Sequence, residues 1–81
     1  MAKVKQESVA DRVRWAREQR GLNNAELDEV ADLSCGHSAK IETGDRGSPS
    51  AQTMSKLAYA LGVDLSWLIN GGKRPQIARA G

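Results

Sequence analysis

The sequence has no phenylalanine, one cysteine, two prolines and only 4% aromatic residues in 81 positions. A single cysteine excludes an internal disulfide, and Cys35 with His37 supplies only two of the roughly four ligands of a structural zinc site. No apolar run approaches the ~20 residues of a membrane span, and the polar start lacks the apolar core of a signal peptide. The expectation is a reduced, cytoplasmic chain, with no metal, no cofactor and no membrane partner. Without phenylalanine, and with few alternating β-branched residues, there is no strand signal. Repeats and low-complexity segments are absent too. Catalysis is excluded on residue types: His37 has no triad partner, and no carboxylate pair sits at a helical spacing near a cleft.

What remains is one small, all-α domain, since 8.7 kDa leaves room for one core that must hold by packing alone. A net charge of +2 and a pI near 9.0 permit a nucleic-acid partner without requiring one. The charge is unevenly placed. Arg12, Arg14, Arg17 and Arg20 load the first helical stretch, residues 26–32 are acidic, and Lys73, Arg74 and Arg79 end the chain with no acid among them.

The spacing predicts five short helices. Val9, Val13 and Ala16 form an apolar stripe on a first helix from about Ser8 to Arg20, with Gly21 ending it. Asn23 is an N-cap type with Glu26 three residues on, opening a second helix on which Leu27, Val30 and Ala31 face inward. Asp32-Leu33 is a very short turn, and Ser34 reads as the cap of a third helix from about Cys35 to Thr43, stopped by Gly44. Residues 45–49 read as a loop. Ser50 caps a fourth helix with Met54, Leu57, Ala58 and Leu61 as its stripe and Gly62 as its end. Asp64 caps a fifth with Leu65, Leu68 and Ile69 apolar, closed by Gly71-Gly72. Trp67 reads as its core plug. Trp15 falls off the stripe of the first helix, and its exposure would point to a partner surface.

A second helix, a very short turn and a third helix form a joint that sets two helices at a steep angle, so that the later one can enter a major groove. The residues that fill this pattern are specific. The run Gly21-Leu22-Asn23-Asn24-Ala25-Glu26-Leu27, then Leu33-Ser34, Ile41-Glu42-Thr43-Gly44 and Pro49, resembles the Cro/repressor helix-turn-helix family of temperate phages and bacteria. So does the ending Leu57-Ala58-Tyr59-Ala60-Leu61-Gly62-Val63-Asp64-Leu65-Ser66-Trp67-Leu68-Ile69-Asn70-Gly71. The match covers roughly residues 9–71 without a gap.

That resemblance implies a compact five-helix, phage-repressor-like bundle over residues 8–71. Residues 1–7 would be a loosely ordered N-terminal arm and residues 72–81 a flexible C-terminal tail. It implies that the third helix reads bases through Ser34, Cys35, His37 and Lys40, around Gly36. Lys40 is the best placed, because an ammonium can donate to guanine O6 and N7. Asn24, Thr43 and Arg46 would touch the DNA backbone, while Arg17 and Glu42 match a buried pair between the first and third helices. The partner would be double-stranded DNA, bound by a homodimer joined through the fifth helix and weak without DNA.

Several residues depart from the family pattern. Gly36 offers no side chain where one often reads bases, at a helix-propensity cost of about 1 kcal/mol. Asp28 replaces a small residue and Ser38 a branched apolar one, which predicts that Asp28 accepts a hydrogen bond from Ser38 or its neighbours. Asp32 stands at a turn position needing a left-handed backbone, which Asp tolerates. The loop after the third helix is weakly basic. These departures favour a second function: a protein-interaction module, such as an antitoxin or anti-repressor partner, that keeps the fold and reads bases poorly.

Overall fold

The computed structural model describes residues 7–44 and 49–77. Five α-helices follow in chain order: α1 Val9–Gln19, α2 Asn24–Val30, α3 His37–Thr43, α4 Ala51–Leu61 and α5 Leu65–Asn70. Three begin on side-chain caps. Ser8 and Asp11 exchange hydrogen bonds across the start of α1 at 3.2 and 3.1 Å. Asn23 and Glu26 do the same for α2, both at 2.8 Å. Ser50 accepts from the Thr53 N–H at the start of α4. Asp64 occupies the cap position of α5 but makes no side-chain cap bond. Among the described residues no helix is long and apolar enough to cross a membrane.

The core gathers one stripe from each helix: Val13 and Ala16 of α1, Leu27 of α2, Ile41 of α3, Leu57 and Leu61 of α4, and Leu68 of α5. Trp67 is buried, as its position predicts. Val30 is not. It is 53% exposed, because successive residues turn about 100° on a helix and the buried face of α2 runs through Leu27, Asp28 and Ala31 instead.

Arg12, one of the four arginines of the first helical stretch, is only 5% exposed. Its guanidinium donates to the carbonyls of Leu68 and Ile69 at 2.9 and 2.8 Å and to that of Glu7 at 2.7 Å. The last carbonyls of a helix lack intrahelical partners and carry its negative pole, so a cation there satisfies both needs. α5 has only six residues and depends on this outside donor. The chain then turns at Gly71 with φ +86°, where an added Cβ would lie 2.9 Å from Arg12 Nη1.

Beyond Gly72 the chain does not leave the domain at once. The Arg74 guanidinium stacks 4.7 Å from the Trp15 ring centroid and pairs with Glu7, and Ile77 packs against the core. Trp15 also meets Trp67 edge-on, with ring centroids 5.7 Å apart. The cover over Trp15 is thus the chain's own tail, and Trp15 gives no sign of a partner surface. Arg79 and the N-terminal arm before Glu7 lie outside the described residues.

Replacing Arg12 with Met keeps the buried stem but removes every donor. Urea unfolding of Arg12→Met should show a loss of about 2–4 kcal/mol at unchanged slope. A loss below about 0.5 kcal/mol would contradict the anchoring role.

Candidate nucleic-acid interface

The joint between α2 and α3 is built by backbone that few residue types allow. α2 closes at Ala31, and Asp32 follows at φ +58°, the left-handed conformation expected of it. Next comes a turn in which the His37 N–H donates to the Ser34 carbonyl at 3.0 Å. Gly36 stands inside that turn at φ +86°. α3 therefore starts at His37, two residues later than the sequence suggested, and Ser34 is not its cap. The helix-propensity penalty assigned to Gly36 does not apply, because Gly36 precedes the helix and adopts a backbone that favours glycine.

The cap comes from the previous helix. Asp28, 3% exposed, accepts from the Gly36 N–H through Oδ2 and from the Ser38 N–H through Oδ1, both at 2.9 Å. This is the contact predicted from the paired departures at positions 28 and 38. Ser38 is fully buried, and its hydroxyl donates to the Asn24 carbonyl at 3.2 Å.

The far end of α3 is held by Glu42, whose side chain is 4% exposed. Arg17 of α1 binds it bidentately, Nε to Oε2 at 2.8 Å and Nη2 to Oε1 at 3.1 Å. The remaining arm of Arg17 donates to the Leu22 carbonyl at 2.8 Å. Glu42 raises the Arg17 pKa, chiefly through that hydrogen bond and against the opposing effect of burial. A raised value means that the contribution of Arg17 to stability is present throughout the ordinary pH range and fades only above the normal arginine range. Arg14 adds a longer contact at 3.4 Å, which sequence reasoning missed.

Asn24 also ends on Glu42. Its Nδ2 donates to Glu42 Oε2 at 2.9 Å and to Ser38 Oγ at 3.2 Å. Through these two bonds the side chain assigned to a phosphate ties α2 to α3. The short asparagine stem keeps the amide over α3. The Thr43 hydroxyl is exposed and donates to the Lys40 carbonyl at 3.1 Å, so it must rotate to meet an outside acceptor. Arg46 lies outside the described residues.

The four residues assigned to base edges do come together. Ser34 and Cys35 are exposed in the turn, His37 is half-buried at the first position of α3, and Lys40 is exposed one turn on. With Gly36 they line one open concavity of about 200 Å³. Cys35 and His37 have no third ligand, and among the described residues no group of three His, Cys, Asp or Glu side chains could hold a metal.

A helix pinned at both ends, lying across a second helix and presenting polar side chains outward, defines a helix-turn-helix domain. The chain belongs to the helix-turn-helix family, whose model matches residues 13–68. It is 37% identical over 62 residues to the immunity repressor protein of Bacillus phage phi105, covering 76% of this chain and 42% of that protein. It is 37% identical over 75 residues to the transcriptional regulator ClgR of Mycobacterium tuberculosis, covering 91% of this chain and 66% of that protein. The chain thus spans less than two thirds of the length of either relative. Among solved structures, SinR of Bacillus subtilis in complex with DNA superposes with a TM-score of 0.70 at 27% identity. That match covers 74% of this chain and 95% of the other.

Glu42→Ala removes the carboxylate that Arg17 and Asn24 share and should destabilise the domain by about 3–5 kcal/mol in chemical denaturation. The double replacement Arg17→Met with Glu42→Leu, which removes both charges, should recover a large part of that loss. Equal losses in the two variants would contradict the pairing.

Proposed function

We propose that this chain is a sequence-specific, double-stranded DNA-binding transcriptional regulator of the repressor type. It reads the major groove with α3 and acts as a dimer inside the cell. The observation that carries this reading is the concavity of Ser34, Cys35, Gly36, His37 and Lys40 on the outward side of α3, held in place from below. Side-chain donors at the start of such a helix reach base edges, and Lys40 suits guanine. Family membership, the repressor and regulator among its relatives and the DNA-bound SinR support it. Thr43 and Arg46 are the proposed backbone contacts. Asn24 acts from beneath, through Glu42 and Ser38.

The dimer rests on α5. Leu65 and Ile69, one turn apart there, are 38% and 44% exposed, and on the neighbouring α4 Tyr59 is 87% exposed. Two apolar side chains and a tyrosine bury little area, so association without DNA is weak. Two copies would set their α3 helices one duplex turn, ~34 Å, apart.

Selection from a randomised duplex pool at moderate salt should enrich a two-fold motif with half-sites about ten base pairs apart. Lys40→Ala should relax the preference at one position per half-site, weakening the selected duplex by roughly 5- to 150-fold. Retention that enriches nothing and fades with salt would overturn specific reading and favour the protein-interaction module.

A further inference from the structure

We infer that Asp28 is the positioning residue for base reading, although it never faces the DNA. The inference rests on the DNA-reading function proposed above. Three separate backbone N–H groups along the joint converge on this one residue. Its main-chain carbonyl accepts from Leu33 at 2.8 Å, Oδ2 from Gly36 at 2.9 Å and Oδ1 from Ser38 at 2.9 Å. Three of the four residues proposed to touch bases hang between those fixed points, Ser34 and Cys35 between the first two and His37 between the last two. Lys40 follows on the helix that His37 starts. A side chain that reads a base edge must be held to a fraction of an ångström, and a turn of this kind has few contacts of its own with which to do so.

The chemistry argues for holding the turn and the helix start in place, not for attracting DNA. A carboxylate beneath a DNA-binding face repels phosphate, so on electrostatics alone this site is unfavourable for binding. Its proximity to the N-terminal end of α3 favours the helix, because a negative charge there meets the positive pole and satisfies unpaired N–H groups. Gly36 completes the device. At φ +86° it points its N–H down to the carboxylate while the chain on either side stays outward. An added Cβ would meet nothing within 4 Å, so the backbone conformation, and not lack of space, makes glycine the fitting residue.

Asp28→Asn keeps shape and burial but faces one of the two N–H groups with a donor instead of an acceptor. It should bind the selected duplex roughly tenfold more weakly, as misplaced base contacts require. It should bind a scrambled duplex equally well or slightly better, because a negative charge has gone. Equal tightening on both duplexes, or a specificity ratio within about twofold of the parent at a temperature where both are folded, overturns the inference.

Amide hydrogen exchange in the unmodified chain tests the clamp itself without any variant. Gly36 and Ser38 should exchange more slowly than Cys35, which directly precedes Gly36, and equally fast exchange at all three overturns the clamp. A parent chain with no sequence preference defeats the DNA-reading function itself. The exchange pattern then still decides whether Asp28 holds the turn.

Discussion

The position of α3 depends on the carboxylate of Glu42. A seven-residue helix is too short to be stable on its own in water, so everything that fixes its place comes from its neighbours. Glu42 sits in its last turn, where a negative charge opposes the helix dipole. Arg17 and Arg14 from α1 and Asn24 from α2 offset that cost and draw three helices to one point. A buried pair of this kind adds little net stability over an apolar one. It does fix geometry, because neither partner can leave the other unpaired without a large penalty.

The opposite end of α3 is governed by the same chemistry with the sign reversed. Asp28 places a carboxylate where the dipole welcomes it and takes up N–H groups that the helix cannot satisfy. Between these two anchors α3 has little freedom to tilt or slide. Arg12 extends the pattern to α5, where a buried guanidinium serves the carbonyl end of another short helix. Of the arginines on α1, Arg12 and Arg17 thus build the domain instead of attracting phosphate. The positive charge left on the surface is correspondingly smaller than the composition suggests.

The five helices were legible because their signals are local. Caps at Asn23 and Ser50, apolar stripes at helical spacing and terminal glycines all act within one or two turns of the residues that carry them. Asp28 was legible for a different reason: an acid at an inward position must find donors, and the nearest orphan donors are at the start of the next helix. Gly36 and Ser34 were misjudged because the choice between a helical residue and a left-handed turn depends on Asp28 drawing the Gly36 N–H inward. The roles of Arg12 and Arg74 were hidden by sequence distance, since their partners Leu68 and Trp15 lie more than fifty residues away in the chain. Asn24 reads as a free amide until Glu42 is placed beside it. Residues proposed to touch DNA, such as Lys40, were legible only through the family resemblance and the donor chemistry of an ammonium, since spacing alone says which side of α3 faces outward and not what meets it.

The central claim is that the outward side of α3, held between Asp28 and Glu42, is the surface that meets DNA. The most direct measurement is the change in backbone amide resonances when the labelled chain is titrated with a short duplex at moderate salt. The account predicts the largest shifts from Ser34 to Thr43, with the core residues of α4 nearly unmoved. Shifts confined to α4, α5 and the segment around Arg74, with α3 silent, would contradict it.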